Sequence, residues 1–342
     1  MTMKFDVTIF PTDLNRAGTW AQAVESMGFH ALWTAETAHN PFLPLTHAAA
    51  QTARIELGTA IAVAFPRSPM ITAQIAWDLA AQSNGRFILG LGTQVKAHIT
   101  KRFGTSWSAP VPRLREYIEA LRAIWNTWQT NAPLRYRGEH YRFSLMTPFF
   151  SPGPIENPDI PIYIAGVNEG LSRLAGELCQ GFHVHPLHTT RYLREVLIPA
   201  IDAGAHSAGR TRADLQLTCA LFVATGRTSD EIRASTAAIK TQIAFYASTP
   251  SYRPVLELHG WGDLQERLAL MTRSGEWEAM GDQISDDIVH EIAVIAPLDE
   301  LAHAVRARYD GLLDRVGYYL PFEPDDADKS AIWHNAAEVF CR

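Results

Sequence analysis

The segment IELGTAIAVAF, residues 55–65, is apolar almost throughout, and no other stretch constrains the fold as strongly. A β-strand without a polar face must be covered on both sides, as in a parallel sheet wrapped by helices. The rest of the chain offers that wrapping. Phe5 to Phe10 reads as a first strand. Leu14 to Met27 then repeats Ala17, Trp20, Ala21, Val24 and Met27 at helical spacing and stops at Gly28, a residue suited to the left-handed turn after a helix. FHALWTAE is the second strand, residues 55–65 the third and RFILGLGTQ the fourth. PIYIAG, GFHVHPL, LTCALFVATG and RVGYYLP follow as the fifth to eighth. Among the intervening helices, Leu114, Ile118, Leu121, Trp125 and Trp128 mark one face of a long one. Eight strand–helix repeats in 342 residues predict an α/β fold, a (β/α)8 TIM barrel, with a doubly wound open sheet as the competing architecture.

Two stretches are too long to be simple connections. Residues 131–159 are proline-rich and include MTPFFSPGP, expected to roof an apolar pocket. Residues from about 225 to 310 hold several helices. Both are expected as excursions from a single domain spanning 1–342.

Composition excludes some partners. Thirty Lys and Arg against 36 Asp and Glu give a net charge of −6, so no basic excess serves a phosphate backbone, and nucleic acid is not expected. No apolar run approaches a membrane span. MTMKFDVTIF reads straight into a strand, and Cys179, Cys219 and Cys341 lie scattered without a CxxC pair, which fits a reducing compartment. A cytoplasmic enzyme acting on a small molecule is the expectation.

Barrel enzymes act at the C-terminal ends of their strands. Strand two delivers Glu36, Thr37 and His39 there; strand three delivers Phe65 and Arg67; strand four delivers Thr93, Gln94 and, further on, His98. Strand five delivers Gly166, Val167, Asn168 and Gly170, and strand six His183, His185 and His188. A buried Glu beside a His suits proton transfer, although Glu36 equally suits pairing with Arg67 or with backbone amides. Gly90 and Gly92 do not make a dinucleotide fingerprint, because Val95 stands where the third glycine belongs. They suit close approach of backbone to a ligand or a neighbouring strand. AGVNEG leads a strand into a helix start, which suits a phosphate; an ordinary turn capped by Asn168 is the alternative. His183 and His185 point to one face of a strand, yet no metal site is expected, since in metal-dependent hydrolase barrels such a pair opens the chain and needs a later carboxylate with further histidines, whereas here it comes past mid-chain. GxSxG and GxxxxGK[ST] are both absent.

Taken together, AVESMGFHALWTAE (Ala23–Glu36), residues 55–69 and above all SNGRFILGLGTQVKAHITKRFG (Ser83–Gly104) resemble the bacterial luciferase-like superfamily of flavin and deazaflavin oxidoreductases. LREYIEALRAIW, PIYIAGVNEG and QIAFYASTPSY (Gln242–Tyr252) extend the likeness along nearly the whole chain. The sequence looks most like the branch that uses coenzyme F420, a 5-deazaflavin, with an FMN-dependent monooxygenase served by a separate flavin reductase as the alternative. The resemblance implies hydride transfer between the deazaflavin C5 and a small organic substrate, and a homodimer formed through the helices after strands two and three. It also implies a cis peptide bond within residues 60–64 on strand three, behind the cofactor ring. Ala62, Val63, Ala64, Thr37, Thr93, Gln94, His183 and His185 would surround the cofactor, and Gly166, Val167 and Asn168 its phosphate. Relatives carry Asp-His at the end of strand two, where this chain has Glu36-Thr37 with His39 two residues on. His39, then Glu36, are therefore the expected proton donors.

Overall fold

The computed structural model describes residues 2–11 and 13–341. Eight parallel strands close a barrel: β1 Lys4–Ile9, β2 Ala31–Thr34, β3 Glu56–Thr59 continued by Ala62–Val63, β4 Phe87–Gly92, β5 Ile162–Gly166, β6 Gly181–Val184, β7 Gln216–Leu221 and β8 Arg315–Tyr318. Each strand pairs in parallel with the next in the chain, β3 with β4 included, and β8 pairs with β1 to complete the ring. The fold is thus the (β/α)8 TIM barrel, not the open sheet.

β3 is interrupted rather than continuous. Leu57 pairs with Phe87 and Ala62 with Leu91, so five steps along β3 oppose four along β4. One surplus residue in a strand is a β-bulge, and it inverts which face the following side chains occupy. A cis peptide joins Ala60 and Ile61 at this bulge, inside the span where the resemblance implied one.

The two glycines of GLG explain how β3 and β4 come so close. A Cβ on Gly90 would lie 1.7 Å from the Thr59 carbonyl oxygen, whereas one on Gly92 would meet the tip of Ile61 at 2.6 Å. Gly90 is further pinned by Thr59, whose Oγ1 accepts from the Gly90 amide and donates to its carbonyl. Gly90→Ala forces backbone apart where the barrel closes, and overpacking of this kind costs about 3 kcal/mol. Urea unfolding should show that loss, with Gly92→Ala losing clearly less because a side-chain tip can yield. Equal costs for the two would refute the close-approach reading.

Helices cover the outside. α1 (Leu14–Ser26) buries Ala17, Trp20, Ala21 and Val24 and ends at Gly28, whose φ is +83°. α2 (Leu43–Gln51) and α3 (Pro69–Gln82) follow β2 and β3. α4 (Pro110–Thr130) buries Leu114, Ile118, Leu121, Trp125 and Trp128, the face legible in the sequence. α5 (Glu169–Leu178) begins directly after β5.

Residues 131–159 run down the outer wall instead of over the barrel mouth. The Glu116 carboxylate on α4 accepts the amides of Glu139, His140 and Tyr141 in a small hairpin. Further on, Trp77 of α3 donates to the Gly153 carbonyl and Gln129 of α4 bonds both ways with Ile155. These anchors carry MTPFFSPGP away from the mouth, leaving Phe149 and Phe150 89% and 69% exposed. The expectation that this segment roofs the pocket is therefore corrected.

The later excursion does reach the mouth. Val223–Ala224 pairs with Val294–Ile295, and between them lie helices Ser229–Ala247, Gly262–Ser274 and Asp286–Ile292. Ile243, Leu256, Leu268 and Val289 form its own apolar cluster with Phe222. Helices Leu301–Tyr309 and Ala327–Phe340 rejoin the main core through Val305, Tyr309, Trp333 and Phe340. No helix among the described residues is long and apolar enough to cross a membrane.

Candidate functional site

A cavity of about 400 Å³ opens at the C-terminal ends of the strands. Asp6, Trp33, His183 and Thr218 lie in its depth, Ala60, Ile61 and Ala165 form walls, and Phe10, Thr37, His185, Tyr246 and Tyr319 stand towards the rim. Its surface is mainly apolar with a few converging polar groups, as small-molecule sites generally are.

The floor is ionic. Arg315, wholly buried at the start of β8, makes a two-pronged pair with Asp6 of β1: Nε donates to Oδ2 at 2.7 Å and Nη2 to Oδ1 at 2.9 Å. Nη1 donates to Gln216 Oε1 at 3.0 Å and pairs with Glu56, and the Trp33 indole donates to Asp6 Oδ2 at 3.0 Å. Burial alone works against the Arg315 charge, but Asp6 and Glu56 hold it above its ordinary range. Two charges taken from water so completely need this geometry to repay their desolvation.

Glu36, expected as a proton donor, is fully engaged. Arg67 Nη1 and Nη2 donate to its two oxygens at 2.7 and 2.9 Å, and the Val63 amide donates to Oε2 at 2.6 Å. Arg67 also donates to the Val63 carbonyl. The carboxylate therefore braces β3 just past its bulge. His39 lies on an exposed loop and does not line the cavity, although Thr37 of the same loop does.

The remaining expected residues divide the same way. Ala62, Val63 and Ala64 are buried behind the wall formed by Ala60 and Ile61. Thr93 and Gln94 end β4 without lining the cavity; Gln94 has φ +58° and accepts the Val95 amide with its own side chain. His183 and His185 both line it. Burial pushes His183 down to about 3 against the opposing pull of Asp6, and its ring packs edge-on against Trp33 at 5.0 Å. Burial, aided by His188, likewise pushes His185 down to about 3. His188 lies deeper, its Nδ1 2.9 Å from the His185 carbonyl. Among the described residues no group of three metal-ligating side chains forms.

Asn168 stands at the N-cap of α5, but its side chain makes no capping bond and donates instead to the Ser251 carbonyl of the excursion. The first-turn amides are left without a capping side chain at the positive end of the helix dipole, which suits an anion. Gly166 and Val167 join this turn to Ala165, the one residue of β5 on the cavity wall. The apolar walls of the cavity suit a flat ring, and the free α5 amides suit an anion.

Sequence reasoning missed Asp6, Arg315, Tyr246 and Tyr319. A signal for the first two was present: a charge inside the apolar runs KFDVTIF and RVGYYL must be paired once buried. The tyrosines carried no such mark.

Comparison with known proteins agrees with this architecture. The sequence model of the family described as luciferase-like monooxygenase matches residues 4–315. An uncharacterized protein of Mycobacterium tuberculosis is 48% identical over 314 residues, 92% of each chain. A 5,10-methylenetetrahydromethanopterin reductase of Archaeoglobus fulgidus is 26% identical over 94% of this chain and 95% of its own. Among solved structures, the coenzyme F420-dependent tetrahydromethanopterin reductase of Methanopyrus kandleri superposes with a TM-score of 0.79 at 20% identity, covering 99% of both chains.

Proposed function

Because the chain belongs to the luciferase-like monooxygenase family, we propose that it is a coenzyme F420-dependent oxidoreductase, a reductase or dehydrogenase of a small organic substrate. The carrying observation is the mainly apolar cavity at the strand ends, with the start of α5, which no side chain caps, following Ala165 of its wall closely in the chain. The reductases similar to it, one named for coenzyme F420, support the same reading. When bound, the deazaflavin supplies the hydride chemistry at its C5.

This chain's residues hold and orient. In this reading Gly166, Val167 and Asn168 with the α5 amides take the phosphate, and Ala60 and Ile61, backed by Ala62, Val63 and Ala64, form a wall for the ring. Thr37, Thr93 and Gln94 border the site, and His183 and His185 contact it as neutral imidazoles. Glu36 and Arg67 keep the β3 wall in place. Half-exposed Leu43 and Ile71 on α2 and α3 support a homodimer through those helices.

A second reading, an FMN-dependent monooxygenase working with a separate reductase, is favoured by the family's description. Titrating the purified protein with each cofactor, followed by absorbance and fluorescence, separates the two. Saturable binding of coenzyme F420 at one per chain with negligible FMN binding is expected. Tight FMN binding without F420 binding would reverse the choice.

A further inference from the structure

Three tyrosines gather where the helical excursion and the end of β8 meet the rim. Tyr246 and Tyr319 line the cavity, and their hydroxyls hydrogen-bond to each other. Tyr252 packs on His185, ring centroids 4.5 Å apart, with its hydroxyl 3.1 Å from Nε2. The His185 ring also meets Tyr246 edge-on at 4.6 Å, and Phe222 meets Tyr319 at 5.0 Å, so the rings brace one another.

The proton inventory of this cluster is unbalanced. His185 Nδ1 accepts the Leu187 amide at 3.1 Å, so the neutral ring carries its proton on Nε2 and donates it to Tyr252. The Tyr252 proton is then unused. In the Tyr246–Tyr319 pair one hydroxyl donates and the other accepts, which again leaves one proton unused. Burial raises Tyr246 and pushes Tyr252 up to about 12, so both keep their protons at neutral pH. Among the described residues no acceptor takes either spare proton.

We propose that Tyr246 and Tyr319 form an oxygen-recognition subsite, braced by Tyr252 through His185, and that the substrate is a carbonyl compound whose C=O oxygen accepts from the pair. The assignment deepens the oxidoreductase reading and rests on it for the cavity's role. Neutral phenols suit a neutral or partly negative oxygen, and donors fixed before the reaction stabilise that oxygen most as charge gathers on it. The surrounding aromatic rings suit a cyclic or aromatic body attached to the carbonyl.

Calorimetric titration of the full chain without cofactor tests this, using acetophenone and its oxygen-free counterpart ethylbenzene as probes. Wild type should prefer acetophenone. Tyr246→Phe/Tyr319→Phe should weaken acetophenone by about 3–10-fold, the worth of a neutral hydrogen bond, and leave ethylbenzene unchanged. Circular dichroism should confirm that each variant folds. No acetophenone binding by wild type, no preference over ethylbenzene, or equal effects on both probes overturns the subsite. Coenzyme F420 binding to wild type is read separately, from its own absorbance. If F420 fails to bind while the ketone preference tracks the tyrosines, the cofactor reading falls and the subsite stands.

Discussion

Asp6→Ala should destabilise the protein by about 3–5 kcal/mol, the largest single-residue loss expected in this chain. The substitution removes the carboxylate that both prongs of Arg315 address and strips the Trp33 indole of its acceptor. Arg315 is 0% exposed, so its charge has no route to water. Glu56 and Gln216 remain as partners, but they address the Nη1 end alone. Asp6→Ala combined with Arg315→Met should cost less than Asp6→Ala by itself, since the double change leaves no unpaired cation. Urea unfolding monitored by circular dichroism checks both values. A loss below about 1 kcal/mol for Asp6→Ala would show that the floor is hydrated and the pairing dispensable.

Stability should also fall steeply as the pH is lowered from 7 to 5. His183, His185 and His188 are pushed down to about 3, 3 and 4, in each case chiefly by burial. The unfolded chain protonates its histidines near 6.5, so below that pH it binds up to three protons that the folded chain refuses. The folded state therefore has its full advantage above about pH 6.5 and loses it progressively towards pH 4. Each histidine contributes at most about 1.4 kcal/mol per pH unit, which bounds the combined slope near 4 kcal/mol per unit. Urea midpoints at pH 7, 6 and 5 report that slope, and replacing His188 with Gln should reduce it. A midpoint constant across this range would mean that the three rings titrate normally and are wetter than their packing indicates.

The barrel was legible because its evidence is local and repeated. Continuous apolar strands, the helical spacing in α1 and α4, and Gly28 all state their role within a few residues. GLG likewise signalled close approach of backbone. Position across the barrel was not legible. Glu36 stands at a strand end whether it meets a substrate or Arg67, and only the fold shows both its oxygens taken. His39 sits two residues beyond Thr37, yet the loop turns one into the cavity and leaves the other in solvent. MTPFFSPGP reads as a pocket roof by composition, but Glu116, Trp77 and Gln129, far away in sequence, direct it down the outer wall. The Tyr246–Tyr319 pair joins residues 73 apart, and nothing local to either announces the other.

The ionic floor also governs traffic. With Arg315, Asp6, Glu56 and Trp33 filling the strand starts, the cavity is a blind well, and a molecule leaves by the opening through which it came. Two ligands stacked in a blind well exchange in fixed order: the deeper enters first and leaves last, and an excess of the shallower one traps it. Steady-state kinetics of such a protein would show compulsory order, with inhibition at high concentration of whichever ligand binds nearer the tyrosine rim.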